Sequence, residues 1–140
     1  MPSFAETFVA LRAIMLPYAA DLVLNADRDD AFDLSTEHVM ANGTPLWFGG
    51  VQVKKRYVSY HLMPVYVNPG LLERVSPALR KRMQGKSCFN FTSVDAALFE
   101  ELAELTATAF DDYRRRGYVA RGGAPLEAAS DHSDGFEWGA

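Results

Sequence analysis

Between Leu79 and Thr92 the chain reads LRKRMQGKSCFNFT. Three consecutive cations, a glycine, a further lysine, the single cysteine of the chain and two phenylalanines fall within that stretch. Clustered Arg and Lys attract anions, because guanidinium and ammonium groups donate charge-assisted hydrogen bonds to phosphate, sulfate or carboxylate oxygens. A cysteine beside cations is stabilised as a thiolate and titrates below about 8.5, whereas in an apolar strand it is a small buried hydrophobe. The wider charge pattern has the same centre. From His38 to Val94 there are 8 Lys/Arg and one acid, Glu73, so this middle carries +7. The whole chain is −4, which leaves −11 outside, from 6 basic and 17 acidic residues. Two explanations compete: a site for an anion, or basic sheet edges paired with acidic helices. For a site, Lys54, Lys55, Arg56, Arg80, Lys81, Arg82 and Lys86 supply positive potential. Trp47, Phe48, Tyr57 and Tyr60 supply a flat apolar floor. The candidate ligand-binding set is Lys54, Tyr57, Tyr60, His61, Arg80, Arg82, Lys86 and Cys88.

Other chemistries fail on spacing. Gly85-Lys86-Ser87 ends like a phosphate loop, but Arg80 stands where the first glycine belongs, and a helix precedes where a strand should. KSCFNF lacks the glycine that follows the basic residue in an RNA-recognition strand. Asp27, Asp29 and Asp30 lack the glycine and terminal glutamate of a calcium loop. His38, His61 and His132 have no metal-ligand spacing, and one cysteine cannot build a structural zinc site. His38 and His61 could still meet across a sheet. No glycine-flanked nucleophile is present. No catalytic residue, metal or cofactor is therefore expected.

The elements that must position these residues follow from periodicity. Phe4, Phe8, Leu11, Met15, Tyr18 and Leu22 recur at helical spacing. Ser3 and Glu6 suit a capping box, and Pro17 predicts a break near Leu16. Asn25 to Asp33 is polar and reads as a loop. Strands are expected over Leu34 to Met40, Leu46 to Val53 and Tyr57 to Met63, turned at Asn42-Gly43 and at Lys54-Lys55-Arg56. Gly49-Gly50 predicts a bulge or a close approach to the backbone. Asn68-Pro69 and Ser76-Pro77 each read as an N-cap before a proline, opening two short helices, the second running to about Met83. Ser87 to Phe91 is a short strand. Thr92 and Asp95 suit a second capping box, ahead of a long helix buried through Leu98, Leu102, Leu105 and Ala109 and acidic on its other side. Arg114 to Gly117 closes it.

The fold class is therefore α+β: two layers, an antiparallel sheet of about four strands against two long helices, with short helices before the last strand. Residues 1–121 form one domain and 122–140 a loosely ordered acidic tail. One cysteine excludes an intrachain disulfide and points to a reducing, cytoplasmic setting. No signal peptide is read at the start of the chain. The longest uncharged stretches, such as Tyr57 to Leu72, are too short and polar to span a bilayer. An isoelectric point of about 5.3 argues against a nucleic-acid partner.

The run KKRYVSYHLMPVY, a proline-led helix and LRKRMQGKSCFNF together resemble the YdhG-like family, a bacterial domain family of unknown function. Element order extends the resemblance over roughly Phe4 to Tyr118, and its specific part is Lys54 to Phe91. It implies a frataxin-like two-layer fold, and for some members an iron-chaperone role. The expected function is a non-enzymatic binding domain for a small anionic ligand. The alternatives are a homodimerisation or protein-interaction module using the free sheet face, and a frataxin-like iron chaperone.

Overall fold

The computed structural model describes residues 4–119. The capping role expected of Ser3, the tail from residue 122 and His132 lie outside the described residues. Helix α1 (Phe4–Met15) ends where Pro17 removes a backbone donor, and the chain tightens into a 3-10 segment, Leu16–Asp21. Five strands follow in a meander: β1 (Val23–Asp27), β2 (Ala31–Val39), β3 (Pro45–Val53), β4 (Val58–Leu62) and β5 (Cys88–Phe91). All neighbours are antiparallel, in the order β1-β2-β3-β4-β5. Between β4 and β5 lie α2 (Met63–Val67), a 3-10 segment (Pro69–Leu72) and α3 (Pro77–Arg80). Helix α4 (Ala96–Arg115) closes the domain.

The α+β class with an antiparallel sheet is as expected. The sheet has five strands because the stretch read as a loop is the end of β1, the turn 28–30 and the start of β2. Its polarity misleads. β1 is an edge strand, and on its open side Asn25 Nδ2 donates to Asp33 Oδ2 at 2.9 Å and to Ser35 Oγ at 2.7 Å. Polar residues at alternate positions are what a half-solvated sheet requires. α4 also begins later than its capping box suggested. Asp95 is itself the N-cap, accepting from Leu98 N at 3.2 Å. α3 is shorter than expected, ending at Arg80 rather than near Met83.

α1 and α4 cover one face of the sheet. Phe8, Leu11 and Met15 from α1 and Leu102, Leu105 and Ala109 from α4 join Phe32, Phe48, Val51, Tyr60, Phe89 and Phe91 in a single core. Tyr60 is fully buried there, its hydroxyl 2.6 Å from Thr106 Oγ1. Tyr113 donates its hydroxyl to the Trp47 carbonyl at 2.9 Å, pinning the helix to β3. The diglycine sits at a bulge: Leu34 pairs with Gly49 but Ser35 pairs with Trp47, so Phe48 is extra. A Cβ at Gly50 would come within 2.7 Å of Asp33 Oδ1 and 2.8 Å of the Phe32 carbonyl oxygen. Gly50 thereby leaves room for Trp47 Nε1 to donate to Asp33 Oδ1 at 2.7 Å.

Candidate functional site

The segment carrying most of the predicted cations is built by local rules. Pro64 stops β4 and starts α2. Asn68 accepts from Gly70 N at 3.2 Å and so opens the 3-10 segment. Ser76 Oγ accepts from Leu79 N at 3.2 Å, capping α3. Gly85, at φ +81°, then turns the chain. Met83 bridges to Phe89, Gln84 N donates to the Cys88 carbonyl at 2.9 Å, and Asn90 N donates to the Arg82 carbonyl at 2.8 Å. Residues 82–84 thus cover the edge of β5, and the reversal returns Lys86 toward Arg80.

The result is an open groove of about 460 Å³. Val65, Tyr66, Pro69, Leu72 and Met83 wall it, and Arg80 and Lys86 stand on it. Arg80 Nη2 donates to the Leu72 carbonyl at 3.0 Å, which fixes the guanidinium while leaving most of its five N–H donors free. Lys86 Nζ lies 5.8 Å from the centre of the Tyr66 ring. Among the described residues, no carboxylate lies within ion-pair distance of Lys54, Lys55, Arg56, Arg74, Arg80, Lys81, Arg82 or Lys86. The ion pairs present are Arg12–Asp27, Arg28–Asp30, Arg114–Asp111, Arg115–Asp111 and Arg116–Asp112, all outside the basic middle.

Glu101 accepts from Ser76 N and Ser76 Oγ, both at 2.7 Å. Asp112, expected on the exposed face, is 8% exposed and accepts from Asn68 Nδ2 at 3.1 Å and from Arg116 Nε at 2.8 Å. Two carboxylates of α4 therefore clamp the groove-bearing segment through hydroxyl, amide and backbone donors. Direct pairing between the basic middle and the acidic helix is replaced by this arrangement.

The predicted residues divide among four places. Arg80 and Lys86 share the groove. Arg82 is exposed beside it and does not line it. Lys54 is exposed and Tyr57 half-buried at the β3–β4 turn, where Lys54 N donates to the Tyr57 carbonyl at 2.8 Å. Tyr60, with Phe48, faces the helices and cannot floor a surface site. Strand alternation puts these two on the covered side, and the floor comes instead from Tyr66, Leu72 and Met83. Sequence periodicity could not find Tyr66, because α2 is one turn of MPVYV with a proline inside it.

His61 and Cys88 lie on the open face of the sheet. Cys88 Sγ is 3.8 Å from His61 Nε2 and 3.3 Å from Asn90 Oδ1, to which Ser59 Oγ also donates at 3.0 Å. The His61 ring packs against Trp47 at 5.3 Å, while His38 packs against Tyr118, so the two histidines have separate ring partners. Burial lowers the His61 pKa, assisted by the charge of Lys54 and opposed by Asp33. Burial raises that of Cys88, against the pull of Ser59 and Lys54. The pair is thus a neutral imidazole beside a thiol, without an activated thiolate. Among the described residues, no group of three or more His, Cys, Asp or Glu side chains could hold a metal ion.

The depressed His61 pKa has a testable sign. Below the ordinary value of 6.5 the unfolded chain takes up the proton first, so folding stability rises with pH through that window. The penalty is complete below the folded pKa and absent well above 6.5. Urea unfolding at about pH 5 and about pH 7.5 is expected to show a larger acid loss for the wild type than for His61→Gln. Equal losses would contradict the burial argument.

No family model matches the chain, and neither the curated proteins nor the solved structures give a match. No helix among the described residues is long and apolar enough to cross a membrane.

Proposed function

We propose that the domain is a non-enzymatic binding protein for a small anionic ligand, held in the groove between α2 and the turn at Gly85. The observation that carries this reading is that Arg80 and Lys86 stand on one apolar groove and, among the described residues, neither is ion-paired with a carboxylate. Two cations on one groove repel each other. An anion between them relieves the repulsion and accepts charge-assisted hydrogen bonds. Both side chains are solvent-exposed, so screening holds the gain to roughly millimolar affinity for a bare ion, about 4 kcal/mol. A cytoplasmic setting fits a chain with one cysteine and so no intrachain disulfide.

The test is thermal unfolding in sodium sulfate and in sodium chloride at matched ionic strength. At ten times the dissociation constant, binding adds about 1.4 kcal/mol, a rise in Tm of about 5 °C. Sulfate also strengthens apolar burial in any protein, so the Arg80→Ala/Lys86→Ala variant sets the baseline. The wild type is expected to show a saturating excess over that variant. Parallel, non-saturating rises in both would overturn the reading.

A further inference from the structure

The groove is larger than one inorganic ion needs, and most of its wall is apolar. Val65, Tyr66, Pro69, Leu72 and Met83 contribute carbon surface, and the two cations, Arg80 and Lys86, are the charged groups on it. Its volume of about 460 Å³ falls in the range of small-molecule pockets, which combine mainly hydrophobic walls with a few polar groups that fix orientation. A bare sulfate would satisfy the cations and leave Leu72, Met83 and the Tyr66 ring facing water. A ligand that satisfies both halves carries an anionic head and a short apolar body.

Resting on the anion-site reading above, we infer that the ligand is a small amphipathic anion: one carboxylate, phosphate or sulfate on a short alkyl chain or ring. The head takes the free donors of Arg80 and the ammonium of Lys86. The body lies along Tyr66, Leu72 and Met83. The same chemistry exists in free metabolites and in membrane lipids, and the groove favours the free molecule. Of the large hydrophobic side chains exposed among the described residues, Tyr66 alone borders the groove; Val9, Leu16, Val23, Leu24, Val39 and Val94 do not line it. A bilayer would therefore find little apolar surface around the mouth to bury.

The experiment is a calorimetric titration of the full chain with acetate, butanoate, hexanoate and octanoate, each far below its micelle concentration. A methylene that leaves water completely is worth about fourfold in affinity, and a half-open groove should give about two- to fourfold for each one added. The slope is read first on the unaltered protein. Met83→Gln, which keeps the side-chain length, is expected to flatten it while leaving the sulfate response intact. Arg80→Ala/Lys86→Ala is expected to abolish binding across the series. A flat series alongside an intact sulfate response would overturn the amphipathic class and leave the anion site standing. Octanoate binding indifferent to Arg80 and Lys86 would overturn both. Sedimentation with anionic phospholipid vesicles, without octanoate binding, would assign the groove to a bilayer and overturn the free-ligand inference.

Discussion

Aspartate in place of Leu102 unfolds the domain. Leu102 has no exposed surface and lies mid-helix on the covered side of the sheet, one turn before Thr106, which accepts or donates at the Tyr60 hydroxyl. An unpaired carboxylate there has no cation to meet: the arginines of α4, Arg114 and Arg115, sit in its last turn and are paired with Asp111. Burying the charge, or protonating it to avoid that, costs several kcal/mol, against a total stability on the order of 5–15 kcal/mol. Loss of the leucine volume adds about 2–5 kcal/mol as a cavity. Circular dichroism is expected to show an unfolded or aggregated chain at room temperature. A soluble variant with unchanged Tm would mean that α4 presents a different face to the sheet.

Gly49→Ala is expected to be costly although it is the smallest possible addition. The new Cβ would run into the His61 carbonyl oxygen and come within 2.6 Å of Met15 Cε. Met15 is a flexible end that can move, but the carbonyl belongs to the backbone of β4, where Gly49 pairs with Leu62 and Gly50 with His61. Relief requires separating two central strands. The expected loss is about 2–3 kcal/mol, a fall in Tm on the order of 10 °C. Gly43→Ala tests another mechanism. It meets nothing within 4 Å but stands at φ +88°, so it reports backbone strain without overpacking. A Gly49→Ala protein melting like the wild type would show that the bulge is loose.

Much of this architecture is legible in the chain because period and punctuation agree. Leu98, Leu102, Leu105 and Ala109 are buried as their spacing requires. Val58, Tyr60 and Leu62 face the helices while Ser59 and His61 face away, as alternation dictates. Pro17 breaks the first helix where it should. What failed did so for physical reasons. β1 is an edge strand whose polar residues hydrogen-bond along the open face, and sequence cannot separate that from a polar loop. Asp112 looks like a solvated acid, yet Asn68, 44 residues away in the chain, holds it nearly buried. For the site, the cationic run singled out Arg80 and Lys86. Tyr66 and Leu72 come from two separate short elements and Met83 from the turn after α3, and only the turns at Pro64, Asn68 and Gly85 bring them together.

An anion held by Arg80 and Lys86 between α2 and the Gly85 turn would be visible at both residues by nuclear magnetic resonance. Sulfate is titrated into uniformly nitrogen-labelled protein at constant ionic strength, with backbone amides and arginine Nε–H groups followed together. Saturating shifts are expected only at residues 65–72 and 80–87, including Arg80 Nε–H, with the Lys54-Lys55-Arg56 turn following only the slope set by bulk salt. Saturating shifts at Lys54-Lys55-Arg56 with none around the groove, or unsaturable shifts spread over every exposed cation, would contradict the anion site.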